Sequence, residues 1–308
     1  MPLNLLGHVD LPAHRGSGGF DHAAVHAASG HVYVAHTANS AIDVFDPAAK
    51  KHLCSVPDLT AVAGALVSDE SQLVFTSNRG ENTIGVFAPG PDPRVTKIAV
   101  GVRPNGLAYD PKRRLVLAAN VGDPAVPHSY TLSMVDLDAG TMRASIEVPG
   151  RTRWTVFDAD AELFYVNIMQ PSQIVVVDTR QPDRVARTLP VPADGAHGLD
   201  FDPATGRLFC ACDAGVLVTL EARSGKVLSQ EKLSGVPDVV WFNPKRRQLY
   251  VAVGDPGVVD VFDTTTMKSL GTVATEKGAH TTAFPPTGDS LIAFLPQSHR
   301  AAIYHVSH

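Results

Sequence analysis

Seven positions, recurring every 41–48 residues, carry most of the chemistry this chain could do: Asp21, Ala63, Asn105, Arg153, His197, Asp238 and His280. Two imidazoles, two carboxylates, a guanidinium and an amide thus stand at equivalent places. Inward-facing polar groups cost free energy unless they are hydrogen-bonded, hydrated or ligated. Imidazole and carboxylate together suit a divalent cation such as Zn, Ni, Fe or Mn, or proton transfer without a metal. A guanidinium offers a planar fork of donors for a carboxylate or phosphate. The same ring would equally line a wet channel that does no chemistry.

Each position opens a heptamer. The clear copies are NGLAYDP at 105–111, HGLDFDP at 197–203, DVVWFNP at 238–244 and HTTAFPP at 280–286. Each is followed by an apolar run, beginning at Leu115, Leu208, Leu249 and Leu291. Weaker copies begin at Asp21, Ala63 and Arg153. The runs are short, rich in Val, Leu, Ile and Phe, and bounded by turn residues, so they read as strands. In the fifth unit the strands are expected at 198–201, 208–212, 216–220 and 227–232. No helical period of 3.6 persists for more than a few residues. A period of this length with strands inside each unit is the signature of a β-propeller. The expectation is an all-β chain, a seven-bladed propeller of four-stranded antiparallel blades covering residues 1–308 as one domain. Blades start near 21, 63, 105, 153, 197, 238 and 280. The last unit supplies only three strands, and residues 3–10 offer the fourth, which closes the ring and hides two strand edges.

In such a ring the first residue of each heptamer points into one mouth of the central channel. His197, Asp238, His280 and Asp21 then form a contiguous arc, with His22 beside it. His197 and His280, with His22 and His128, are the candidate metal ligands. Asp21 or Asp238 would complete the shell or act as general base. Arg153 would hold a substrate carboxylate or stabilise developing negative charge. Asn78, Arg79, Asn105 and Asn167 fall on the opposite side as substrate-binding candidates. The third unit carries an insertion at 121–130, stiffened by two prolines, which would overhang the mouth as a lid bearing His128 and Tyr130. Trp154 is expected to pack between blades.

Composition narrows the classes. The chain is 44% apolar and 19% charged, an ordinary globular balance. Its net charge of −5 argues against a nucleic-acid partner. Neither a nucleophile elbow nor a glycine-rich phosphate loop occurs, so no nucleotide cofactor is expected. No Cys-x-x-Cys pair or His-Glu-x-x-His motif marks a linear metal site. Cys210 and Cys212 lie two apart on one strand and read as small core residues. No signal-peptide run and no stretch of about 18 apolar residues is present, so the expectation is a cytoplasmic protein away from membranes.

Certain runs carry a family resemblance: VYVAH from Val32, VFTSN from Val74, FYVN from Phe164 and LYVA from Leu249, each with a polar turn and then a strand such as IDVFD from Ile42 or IVVVD from Ile174. In these the chain resembles the YVTN-type, surface-layer and lactonase-like seven-bladed propellers over essentially its whole length. The resemblance implies the fold. It says little about function, because relatives include cytoplasmic lactonases, a metal-dependent lyase of an antibiotic and proteins without assigned chemistry. Two functions therefore stand at this stage. One is a small-molecule enzyme, a metal-assisted hydrolase or lyase of an anionic substrate working at the His/Asp-lined mouth. The other is a ligand- or protein-binding scaffold without turnover.

Overall fold

The computed structural model describes residues 2–307. Among them 28 strands form seven four-stranded antiparallel sheets, the blades of a propeller. One short 3-10 turn, Thr37–Asn39, interrupts the strands, and no α-helix occurs among the described residues. In the fifth blade the strands are Ala196–Asp202, Arg207–Cys212, Val216–Glu221 and Val227–Lys232, close to the expected spans.

The ring closes as the repeat count demands. Leu3–Asp10 pairs antiparallel with Arg300–Val306, from Leu3 opposite Val306 to Asp10 opposite Arg300. It thereby completes the blade that Thr282–Ala283 and Ser290–Leu295 begin. Lys50 of the first blade donates to the Leu6 carbonyl at 2.8 Å and latches the closing strand to its neighbour.

The apolar residues pack mainly between blades. Leu117 and Leu132 of the third blade meet Val166 and Ile168 of the fourth, all with no exposed surface. Val34 and Phe45 of the first meet Phe294 and Ile303 of the seventh. A sheet buried on both faces reads as a continuous apolar run, which explains why the second strand of each unit was so plain in sequence. Cys210 and Cys212 are buried in one such layer with free thiols 3.9 Å apart.

What positions the site is a defect in the regular ladder. The innermost strands of blades two to six break register at the ring position: between Val62 and Gly64, Pro104 and Leu107, Thr152 and Thr155, Ala196 and Gly198, and Pro237 and Val240. Such β-bulges add an unpaired residue and re-aim its side chain. Three of the bulges are followed by a glycine that touches the next blade. A Cβ on Gly64 would lie 2.4 Å from the Asn105 carbonyl oxygen, and one on Gly198 only 2.0 Å from that of Asp238. On Gly106 it would lie 2.6 Å from the carbonyl oxygen of Arg153. The glycine therefore lets each inner strand approach the ring residue of its neighbour. Gly198→Ala is expected to destabilise by about 3 kcal/mol and to displace Asp238. Gly90→Ala, which meets nothing within 4 Å, is expected to change stability by less than about 0.5 kcal/mol. Paired thermal melts check both.

Asp200 makes a second tie between blades. Its carboxylate accepts from Phe201 N–H at 2.8 Å and from Phe242 N–H of the sixth blade at 2.6 Å. Burial pushes its pKa up to about 7, against the pull of those two amides. The folded state therefore holds a proton that the unfolded chain releases near pH 4. The stabilising contribution is fullest below that value and is lost as pH rises to 7. Relative to Asp200→Asn, the wild type is expected to lose at most about 4 kcal/mol between pH 4 and 8. Urea melts of both proteins across that range give the difference curve.

Candidate functional site

At the upper mouth of the channel a cavity of about 120 Å³ is lined by Asp21, His22, Arg79, Asn105, Arg151, Arg153, Trp154, His197, Asp238 and His280. Six of these are ring residues brought together from blades one, three, four, five, six and seven. The inward placement expected from the heptamer register is what the structure contains.

One wall is imidazole and carboxylate. His197 Nδ1 lies 2.7 Å from Asp213 Oδ1. A carboxylate only accepts, so Nδ1 carries the proton and Nε2 turns toward the cavity. That Nε2 lies 3.4 Å from Asp238 Oδ1. His280 Nδ1 donates to the Gly278 carbonyl at 2.8 Å, which leaves its Nε2 facing Asp238 Oδ2 at 4.0 Å. Two imidazoles with fixed rings thus aim Nε2 at one carboxylate. Burial works to raise the Asp213 pKa, but the His197 hydrogen bond and charge, with Arg153 and Arg151, bring it below the usual carboxylate range.

The facing wall is cationic. Arg79 Nη2 bonds Asp21 Oδ2 at 3.1 Å and Asn105 Oδ1 at 2.9 Å. Arg153 Nη2 lies 3.3 Å from Met169 Sδ and 3.6 Å from Asp213 Oδ2. The Nε of Arg79 and the Nε of Arg153 are both buried with no hydrogen-bond partner among the described residues. Arg151 stands beside them. Partial withdrawal from water, then the charges of Arg153, Arg79 and Arg103, lower its pKa. Three guanidiniums against two lining carboxylates leave the cavity with an excess of donors.

The floor is aromatic. The His22 ring stacks on Trp154 with centroids 4.1 Å apart and planes at 38°. Trp154 in turn meets the edge of Trp241 at 6.1 Å. Both Trp154 and His22 also line a larger cavity below, so this stack divides the channel in two. Trp154 packs in the apolar layer with Tyr165 of its own blade and Leu199 of the next, as expected, and its ring also reaches the channel. Burial chiefly lowers the His22 pKa, with help from Arg79 and His197 and against Asp21 and Asp238. His22 is a neutral floor residue, 3.6 Å from Asp21 Oδ1.

Several expected site residues lie elsewhere. His128 is exposed and bonds Glu147 at 2.8 Å, on the outermost strand of blade three. The insertion at 121–130 folds on itself through Ser129, which donates to the Asp123 carbonyl and accepts from its N–H. It caps the outer part of its blade because it joins the second and third strands, which lie away from the axis. Tyr130 is half-buried against that blade's core. Neither residue reaches the channel, and the insertion is not a lid over it. Asn78 is fully buried, donating to Thr83 at 2.9 Å and accepting from Thr76 at 3.0 Å. Asn167 is also fully buried, but its amide donates to the carbonyls of His197 and Gly198 at 2.9 and 3.1 Å. It holds the bulge that aims His197 and does not line the cavity. Arg79 and Asn105 alone of the five expected substrate-binding residues line the cavity.

Two residues of the site had no clear mark in sequence. Arg151 lies two positions before the ring residue, outside the heptamer. Asp213 ends a second strand at the rim like six others, and only the fold shows that it backs His197. Among the described residues no three His, Cys, Asp or Glu side chains stand as a set that could hold a metal ion. The protein is of the class of seven-bladed propellers with a charged axial funnel. Compared with protein-family models and with curated proteins, the chain matches none.

Proposed function

We propose that this protein is an enzyme of the hydrolase or lyase type, acting on a small anionic molecule whose acidic group enters the upper funnel. The observation that carries this reading is the set of three guanidiniums, Arg79, Arg151 and Arg153, that line one funnel with the two oriented imidazoles of His197 and His280. Three guanidiniums against two lining carboxylates leave donors for an added acidic group. A cavity of about 120 Å³ lies well below the roughly 300–1,000 Å³ of pockets that enclose drug-sized ligands. It suits a carboxylate or phosphate with a few atoms around it, the remainder of the substrate extending outward.

In this reading Arg79 and Arg153 hold the acidic group, with Asn105 beside them. His197, oriented by Asp213, moves a proton at Nε2. Asp238 and His280 supply the complementary acid–base pair. Negative charge developing on the substrate meets the arginine wall, already in place. A divalent ion near His197, Asp238 and His280 is the metal-assisted form of the same proposal; because no such set stands ready among the described residues, it requires these three side chains to draw together around the ion. The proton-transfer form has the stronger support, since the two Nε2 atoms are oriented toward Asp238 without a ready metal-holding set among the described residues. The YVTN-type kinship and a cytoplasmic setting belong to the same proposal, and the repeat supports the first.

The test begins with thermal shift against small mono- and dicarboxylates and phosphate. An anion at 100 times its Kd is expected to stabilise by about 2.7 kcal/mol, and Arg79→Ala with Arg153→Ala is expected to erase the shift. Turnover is then sought with lactones, carboxylate-bearing esters and β-substituted carboxylates. Activity lost to a chelator and restored by Zn, Ni, Fe or Mn selects the metal form. No stabilisation by any anion at millimolar concentration, with a protein partner captured at the rim, would select the non-catalytic scaffold.

A further inference from the structure

Beneath the His22–Trp154 floor lies the larger part of the channel, a cavity of about 420 Å³ that opens on the opposite face. The reading given for the upper funnel does not use it. Its walls include Leu107, Tyr109, Trp154, Phe157 and Trp241, and one carboxylate, Asp200, stands among them. Asp69 and Glu70 lie at its rim, on the turn between the first two strands of blade two. Among the described residues no lysine or arginine lines it.

Asp200 is the informative group. Its two oxygens each accept one backbone N–H, from Phe201 and Phe242. A carboxylate has about four acceptor sites, so capacity remains on the channel side. Among the described residues Asp200 makes no ion pair, and it stands partly exposed on the channel wall. The titratable groups facing it are His22 from blade one, Asp69 and Glu70 from blade two, Tyr109 from blade three and Asp202 from its own strand. All but His22 are acids, and His22 is held neutral by burial.

We propose that the lower channel is a second ligand site, for a lipophilic organic monocation: an ammonium group on an aromatic or alkyl body. The ammonium would meet Asp200 and the aromatic rings, whose faces attract cations. The apolar body would fill the rest of a cavity whose volume falls in the range of sites for drug-sized ligands. An anion finds no cationic group here. A neutral molecule would leave the carboxylate uncompensated. The site stands independently of the upper funnel.

The chain has two tryptophans, Trp154 and Trp241, and both line this cavity. Intrinsic fluorescence therefore reads it directly. The probes are 4-phenylbutylammonium, 4-phenylbutanol and 4-phenylbutanoate, titrated into the wild-type protein at pH 8. The ammonium is expected to give a saturable change, the alcohol to bind at least about tenfold more weakly, and the butanoate not to displace the ammonium. Because Asp200 titrates near 7, ammonium affinity is expected to fall about tenfold from pH 8 to pH 6. Asp200→Asn should remove that pH dependence and lower affinity by about tenfold or more, while His197→Ala should leave both unchanged. Equal affinity for the alcohol, displacement by the butanoate, unaltered binding in Asp200→Asn, or no saturable response to the ammonium would each overturn the proposal. The three probes decide it on the wild type even if Asp200→Asn folds poorly.

Discussion

A chain lacking residues 2–10 is expected to lose its cooperative thermal transition and to associate through its last blade. The segment contributes one outer strand, but its loss acts at the seam of a closed ring. Leu3 and Val9 are almost fully buried, and each is worth roughly 1.5–3 kcal/mol. The ladder to Arg300–Val306 adds hydrogen bonds at about 1 kcal/mol net apiece. The Lys50 latch and the Ser307 N–H bond to Pro2 are lost as well. Together these approach the roughly 5–15 kcal/mol by which native proteins are stable at all. The bared edge of Arg300–Val306 is then an unpaired strand open to a second chain. Circular dichroism melts and size-exclusion chromatography test this, and the excised peptide 2–10 added in trans should restore the transition. A truncated monomer melting within a few degrees of the intact chain would show that the seam carries little.

His197→Ala is expected to lower kcat by roughly 10²–10⁴ on any substrate turned over in the upper funnel, the usual contribution of a positioned acid–base group. KM should move little, because His197 stands opposite the anion-holding wall. Arg153→Ala should raise KM and lower kcat together, because the arginine wall both holds the anion and meets the developing charge. Asp213→Ala should lower kcat less than His197→Ala and also change KM, since it frees the imidazole that Asp213 orients at 2.7 Å and removes the carboxylate 3.6 Å from Arg153 Nη2. The depressed pKa of Asp213 fixes its sign with pH. Its stabilising contribution is present above its unfolded value near 4 and is lost as pH falls through the lower folded value. Steady-state kinetics of the three variants at several pH values give the result. A His197→Ala enzyme with wild-type kcat would remove His197 from the chemistry.

The course of the inner strand shows why the site was half legible. Asn105, Arg153, His197, Asp238 and His280 were readable because each opens a heptamer, and a closed ring gives equivalent positions one direction. Asp21 followed from the same register despite its weak heptamer. The rim asparagines share an equally regular register, yet they turned out differently. Asn78 and Asn167 end second strands, one layer out from the axis, so the blade faces enclose them. His128 and Tyr130 were misplaced for a related reason. An insertion between the second and third strands inherits their distance from the axis, and no pattern in its residues could state that distance. Trp154 meets both environments open to it, the apolar layer between blades four and five and the channel floor beside His22, and only the second joins residues from opposite sides of the ring.

By itself the sequence determined the strand pattern, the number of blades, the closing role of residues 3–10 and which residue of each repeat meets the axis. These follow from local alternation and from repetition, which any one unit displays. Tertiary structure alone decided that Asp213 backs His197, that Arg151 joins the arginine wall, that a His–Trp stack divides the channel and that Asp200 stands without a cation below it. Those relations join residues of different blades across a common axis. Their distances depend on ring diameter and on bulges at Ala196/Gly198 and its equivalents, which arise from packing between units and leave no mark within one.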